Sequence, residues 1–256
     1  MRYTQEIAEI LQIGQIAPGV FSCLLAAPRI AGAAVPGQFV TVLCEGFELR
    51  RPISLCGFDA GAGYLRLVFE IRGAGTDWMA GRRAGDTLDL VGPLGHGFPL
   101  TGAKAILVGG GIGTPPLLPL ARHYGAGATV ITGFRTGQAA ILQEEFAATG
   151  ADVRLCTDDG SAGFSGFTTQ ALARRLEEGP CDVIHTCGPK IMMRGVAELA
   201  ARKGIPCYVS MEERMACGVG ACLGCACRTK GQDGGIQMTR VCLNGPVFSA
   251  EEVDWA

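Results

Sequence analysis

Two rhythms of apolar and polar positions divide the chain. From Tyr3 to about Leu100, short runs such as Gly37-Gln38-Phe39-Val40-Thr41-Val42-Leu43 and Gly63-Tyr64-Leu65-Arg66-Leu67-Val68-Phe69-Glu70-Ile71 alternate with turns bearing glycine and proline. Runs of this length and spacing predict an antiparallel barrel or sandwich. Beyond Lys104 the rhythm changes. Ala105 to Val108 reads as a buried strand, followed by a glycine-rich turn and a helical stretch toward Tyr124. Ala128 to Thr132, Asp152 to Cys156, Asp182 to Thr186 and Cys207 to Ser210 read as further strands, with helices expected over Ala139 to Thr149, Thr168 to Glu178 and Lys190 to Lys203. Alternating strands and helices with short connections predict a doubly wound parallel sheet. From Met211 onward neither period is legible, and the cysteines there are expected to organise the chain. The expected division is therefore a β-barrel domain over 1–102, an α/β domain over 103–210 and a small module over 211–256.

Composition adds limits. The 256 residues are 48% hydrophobic and 18% charged, with 22 basic against 24 acidic side chains. Disorder is excluded, and nucleic acid is a poor partner because no excess or run of Lys and Arg offers the counterion release that drives such binding. The 39 glycines and 13 prolines imply many tight turns and close backbone approaches. The longest uncharged run, Ala105 to Ala121, is interrupted by three prolines and is short for a membrane span. No export signal opens the chain, so free thiols in a reducing cytoplasm are expected.

Five of the 12 cysteines crowd into the last stretch. Cys217, Cys222 and Cys225 follow a Cys-x4-Cys-x2-Cys spacing, with Cys242 after sixteen intervening residues, the plant-type pattern of a [2Fe–2S] cluster. Four thiolates, two per iron, give each metal a tetrahedral sulfur shell, and Gly218, Gly220, Ala221 and Gly224 let the loop fold around it. A zinc ribbon would want a second Cys-x2-Cys pair near Cys242, where the chain has one cysteine. Cys227 lies two residues past Cys225 and could replace it, but the x4, x2 spacing favours Cys225, and Cys227 then reads as a small apolar neighbour. The remaining cysteines read as small apolar side chains.

Gly109-Gly110-Gly111-Ile112-Gly113-Thr114 follows a predicted strand and precedes a predicted helix, a context in which backbone and helix N-terminus can approach a pyrophosphate. It departs from the G-x-G-x-x-G fingerprint and by itself is equally an ordinary turn. Cys187-Gly188-Pro189 follows another strand of the same sheet. In the barrel, Arg51-Pro52-Ile53-Ser54 offers a guanidinium and a hydroxyl for a phosphate, or a solvated turn. These three motifs in this order resemble the ferredoxin–NADP reductase superfamily. Glu212-Glu213-Arg214-Met215-Ala216-Cys217-Gly218-Val219-Gly220-Ala221-Cys222-Leu223-Gly224-Cys225 narrows the resemblance, over the whole chain, to the electron-transfer subunits of dihydroorotate dehydrogenase B.

The resemblance implies that Arg51, Pro52, Ile53, Ser54, Val68, Phe69, Glu70, Gly75 and Thr76 contact FAD. It implies that Gly109 to Thr114 with Cys187, Gly188 and Pro189 hold NAD, Cys187 lying near the ring. Cys217, Cys222, Cys225 and Cys242 would carry the cluster. An acid at Glu70 offers a pyrophosphate only its backbone, which leaves Arg72 as an alternative. A nicotinamide exchanges two electrons as hydride and a [2Fe–2S] cluster one at a time, so a flavin between them is the expected converter. By resemblance the partner is an FMN-containing catalytic subunit that oxidises dihydroorotate in pyrimidine synthesis, in a heterotetramer with two copies of each. No catalytic triad or carboxylate pair competes, and His96, His123 and His185 read as structural. Two other readings stand: a reductase subunit of an NADH-dependent ferredoxin:NADP or sulfhydrogenase complex, and a zinc-stabilised binding protein without redox function. Arg135, after the second strand of the nucleotide domain, leaves NAD against NADP open.

Overall fold

Period-two patterning is carried through by six strands, β1 (Thr4–Ala17), β2 (Val20–Ala26), β3 (Phe39–Leu43), β4 (Arg51–Asp59), β5 (Tyr64–Glu70) and β6 (Thr87–Leu94). In the computed structural model, which describes residues 3–231 and 233–256, they close an antiparallel barrel in the order β1-β2-β5-β4-β3-β6, with β6 pairing back onto β1. Closure removes the exposed sheet edges that a sandwich would have to protect. Inward positions such as Ala8, Ile10, Leu25, Val40, Leu55, Leu67 and Leu90 fill the interior. Helix α1 (Pro28–Ala31) adds Ile30 to that core. One inward position of β1 is an acid, Glu6, and a buried carboxylate needs donors. It accepts hydrogen bonds from the backbone N–H groups of Arg29 and Ile30 at 3.2 and 2.9 Å. A second short helix, α2 (Ala74–Ala80), follows β5.

The second rhythm builds β7 (Ala105–Gly110), α3 (Leu118–Tyr124), β8 (Ala128–Phe134), α4 (Gln143–Ala147), β9 (Asp152–Thr157), β10 (Phe164–Ser165), α5 (Thr168–Glu178), β11 (Val183–Cys187), α6 (Lys190–Lys203) and β12 (Cys207–Ser210). The tail adds β13 (Ala226–Lys230), β14 (Ile236–Arg240), α7 (Val241–Asn244) and β15 (Val247–Ser249). The sheet runs β10-β9-β8-β7-β11-β12-β15, parallel except for β15. Strand β7 is buried along its whole length, as a central parallel strand covered on both faces must be. Helix α6 buries Met193, Val196, Ala197 and Ala200, an i, i+3, i+4, i+7 stripe, and stops at Gly204, whose φ of 65° forms the left-handed cap.

Three expectations change. The helix expected over Ala139 to Thr149 is only α4, because Leu142 adopts a left-handed φ of 63° just before it. The helix after the glycine turn starts at Leu118, two 3-10 turns late, since Gly111 and Pro115 interrupt it. The tail holds regular structure: β13 and β14 pair as a two-stranded sheet. The chain groups into two units. One comprises residues up to Gly97 with Glu212–Cys227 and Arg240–Pro246, and the other Phe98–Met211, Arg228–Thr239 and Val247–Ala256. Segments of the stretch 211–256 fall in both units. No helix among the described residues is long and apolar enough to cross a membrane.

His185, in the middle of β11, is fully buried and packs against the rings of Phe98 and Tyr208, at 5.1 and 5.8 Å between centroids. Burial pushes its pKa down to about 3, so at neutral pH it is an uncharged aromatic filler. The unfolded chain binds this proton near the ordinary histidine value and the folded chain does not, so stability falls as pH drops from about 6.5 toward 3. At pH 5 the loss from this residue is about 2 kcal/mol. A His185→Phe variant is expected to show a flatter change in urea midpoint between pH 7 and pH 5; an unaltered slope would assign the acid sensitivity to other groups.

Candidate functional site

Strand alternation spreads Arg51-Pro52-Ile53-Ser54 over both faces of β4, so the motif is strand and not turn. Ile53 packs against the barrel core. Pro52 lies opposite Thr41, and Ser54 opposite Phe39, on β3. Arg51 sits with its guanidinium 5.0 Å from the Phe47 ring centroid and bonded to the Leu49 carbonyl. The same guanidinium covers Gly75, where a Cβ would come within 2.7 Å of Cζ. Arg51 and Gly75 in the first turn of α2, 24 positions apart, therefore form one cradle with a cation at its wall. Thr76 Oγ1 accepts from the N–H groups of Arg72 and Gly73 at 2.9 and 3.3 Å and donates to the Gly73 carbonyl at 3.0 Å, which holds the turn.

The residues from β5 separate. Phe69 points into the barrel core and stacks on Phe21, so it offers a ligand only its backbone, while Val68 occupies the opposite face. Glu70 pairs with Arg72 at 2.8 Å; the two candidates for the pyrophosphate engage each other. Adding a methyl group at Gly75 displaces Arg51 from the cradle. Gly75→Ala is expected to weaken flavin binding about tenfold, the size of one hydrogen bond to a charged group. Equilibrium release of flavin measures it, and unaltered affinity would remove Arg51 from the binding set.

In the sheet unit, the chain leaves β7 toward β8 and β9 on one side and returns to β11 and β12 on the other. The crevice outside the carboxyl ends of strands at such a reversal is where open α/β sheets bind ligands. Both glycine segments lie there: Gly109 to Thr114 leaves β7, and Cys187-Gly188-Pro189 leaves β11, its neighbour. They touch backbone to backbone, since a Cβ on Gly113 would lie 2.6 Å from the Cys187 carbonyl oxygen and the Gly188 nitrogen. A Cβ on Gly110 would meet Met192 Sδ at 2.6 Å, a neighbour that no motif announces. Thr114 Oγ1 is buried with no hydrogen-bond partner among the described residues. The surface these segments present is largely backbone. Because α3 starts late, the loop N–H groups and not a helix end must supply the polarity. Arg135 is exposed just past β8, and the N–H groups of Asp158 and Asp159 donate to the carbonyls of Phe134 and Arg135 at 3.0 and 3.2 Å. An acidic turn thus runs beside the basic residue.

The four candidate cluster cysteines all fall in the barrel unit and make two contacts. Cys217 Sγ accepts the Cys222 N–H at 3.3 Å, and Cys225 Sγ accepts the Cys242 N–H at 3.4 Å. Burial opposes ionisation at Cys217, but the backbone N–H groups of Cys222, Val219 and Ala221 outweigh it and bring the thiol down to about 6. Cys242 is pushed up to about 12 by burial, then by a side-chain hydrogen bond to Cys225 and by the charge of that neighbour. No three His, Cys, Asp or Glu side chains among the described residues converge as a single-ion site. Cys227 lies on the buried face of β13, and Cys225 is the one joined to Cys242.

Glycines seat the ligand loop. Gly218, with φ of 69°, packs on Thr41 of β3, whose Cγ2 would be 2.8 Å from an added Cβ. Gly220, with φ of 82°, packs on Leu243, the residue after Cys242. Arg240 Nη1 donates to the Gly220 carbonyl at 2.6 Å, and the Val241 N–H donates to the Cys225 carbonyl at 3.0 Å. Arg240 thereby ties the first ligand segment to the last. Its only signal in the sequence is a lone basic residue two before a ligand cysteine, and Thr41 has only its place as a polar residue inside an apolar strand.

Comparison with known proteins gives three findings. A family model described as the iron-sulfur cluster binding domain of dihydroorotate dehydrogenase B matches residues 212–254. The chain is 43% identical over 249 residues to a protein of Bacillus caldolyticus named dihydroorotate dehydrogenase B (NAD(+)), electron transfer subunit, covering 93% of this chain and 94% of that one. An Enterococcus faecalis protein of the same name is 38% identical over 263 residues, covering 99% of each. Among solved structures, an NADH-dependent reduced ferredoxin-NADP oxidoreductase studied for flavin-based electron bifurcation matches with a TM-score of 0.87 and 32% identity, over 98% of this chain and 90% of that one.

Proposed function

The chain belongs to the family of electron-transfer subunits of dihydroorotate dehydrogenase B, and on that premise we propose that it carries electrons from an FMN-containing catalytic partner to NAD⁺. The observation that carries the reading is the seat of the cluster loop: Gly218, next to Cys217, rests on Thr41, and Thr41 is paired with Pro52 of the flavin motif. Cluster ligands and flavin strand are thus parts of one unit, one β-strand apart.

Bound groups would supply one-electron exchange at the cluster, conversion between one- and two-electron chemistry at FAD, and hydride acceptance at NAD⁺. The chain's own residues hold and order them. Cys217, Cys222, Cys225 and Cys242 hold the irons, with the loop N–H groups offsetting thiolate charge. Arg51 and Gly75-Thr76 hold the FAD pyrophosphate, while Pro52, Ser54 and Val68 and the backbone of Phe69 and Glu70 line the flavin's path along β4 and β5. Gly109 to Thr114 and Cys187 to Pro189 hold the nucleotide, and Asp158 and Asp159 beside Arg135 favour NAD over a nucleotide with an added phosphate. In functional terms the divisions fall at 1–102, 103–210 and 211–256, with the cysteine segments built onto the barrel.

The partner docks at the cluster loop. Leu223, 74% exposed between Cys222 and Gly224, presents an apolar side chain beside the ligands, and electron transfer requires a short path there. All 12 cysteines stand outside disulfides, which fits a reducing cytoplasm. Co-purification tests the reading. The expected complex has two copies of each subunit, contains FMN, FAD and iron, and reduces NAD⁺ with dihydroorotate. A hydrogenase-type partner, or a colourless zinc protein, would overturn it.

A further inference from the structure

We infer that the Thr41 hydroxyl donates a hydrogen bond to the iron–sulfur cluster, making Thr41 a positioning residue that sets the cluster's reduction potential. The inference rests on the proposed ligand set. Thr41 stands in the middle of β3, where Val40 and Val42 fill the barrel interior. It faces the other way, opposite Pro52, and is only 2% exposed because the ligand loop lies on it. Its methyl branch packs against Gly218, which also neighbours Leu94, whose Cδ1 would lie 3.6 Å from an added Cβ. Oγ1 branches from the same carbon and has no hydrogen-bond partner among the described residues.

The large majority of buried side-chain polar atoms in folded proteins have a hydrogen-bond partner, and a valine would fill this volume with no polar atom to desolvate. A hydroxyl here therefore calls for an acceptor in the loaded protein. The strand's other neighbours at this point are apolar: Pro52 on β4, Val91 on β6 and Leu94. The acceptor that the loop next to Thr41 is built to carry is sulfur, as thiolate or bridging sulfide. Both are anionic, and both gain negative charge when the cluster is reduced. A donor at that position stabilises the reduced form more than the oxidised one and raises the potential, as hydrogen bonds to cluster sulfurs do.

The test is an EPR-monitored redox titration of the complex carrying Thr41→Val or Thr41→Ser. Val is expected to leave iron content and flavin absorbance intact and to lower the cluster midpoint, so that the reduced-to-oxidised ratio at the original midpoint falls about three- to tenfold; tenfold is 59 mV for one electron. Ser is expected to restore the original midpoint. In the unsubstituted protein, an exchangeable proton coupled to the reduced cluster should be lost in D2O and absent in the Val variant, a readout that needs no comparison of stability. An unaltered midpoint with Val, or a shift confined to the flavin, overturns the inference while leaving the ligand set intact. Absence of any cluster from the unsubstituted protein overturns the ligand set itself, and the inference with it.

Discussion

Serine in place of Cys225 is expected to abolish the cluster's visible and EPR signals and to cut dihydroorotate-dependent NAD⁺ reduction more than about 100-fold, while NADH still bleaches the flavin at the original rate. The size follows from removing a ligand outright, since loss of an outer hydrogen-bond partner alone costs about 10- to 100-fold in metal affinity or activity. The selectivity follows from position. Cys225 belongs to the segment that pairs with Cys242 through the 3.4 Å N–H···S contact, and nothing in it forms the Arg51 and Gly75 cradle or the glycine crevice. Cys227→Ser is the control. It changes a buried side chain of β13 and is expected to keep the cluster. Retention of the signal in the Cys225 variant and loss in the Cys227 variant would exchange their roles.

Alanine at Gly113 acts at the other end of the relay. The atoms an added methyl would meet are backbone, the Cys187 carbonyl oxygen and the Gly188 nitrogen and Cα, each at 2.6 Å. No side chain can swing aside, so the loops after β7 and β11 must part. Overpacking of this kind costs about 1–3 kcal/mol, and an ångström of displacement near reacting atoms costs about 100-fold in rate. Flavin reduction at low NADH is therefore expected to slow about 100-fold, with reduction by dithionite and the cluster signal intact. Stopped-flow absorbance separates the two reductants. Equal slowing with both would mean that the substitution disturbs the flavin and not the nucleotide crevice.

Much of this protein is legible one residue at a time. Helices α5 and α6 and strand β12 fall where the apolar pattern puts them, because each helix buries one face that its period reports and the strand is a short, mostly buried run. The cysteine spacing, the three motifs of barrel and sheet and their order are likewise local, and with the resemblance they are enough to point to the family. Where local signals conflict, the pattern misleads. Leu142 and Gly111 turn the backbone out of the helical region in stretches whose apolar pattern suits a helix, and β13 and β14 follow no period that the cysteines and glycines around them leave visible.

Other features wait for the chain to fold. The contact of Cys225 with Cys242, the closure of Arg51 over Gly75, the mutual neutralisation of Glu70 and Arg72, the clamp from Arg240 to Gly220 and the burial of the Thr41 hydroxyl all join residues that lie on different segments or compete at one position. Spacing specifies what a segment can bind, since that depends on donor type and local backbone freedom. Which segments meet depends on sheet register and on which face of a strand is covered, and those are properties of the packed barrel and sheet alone.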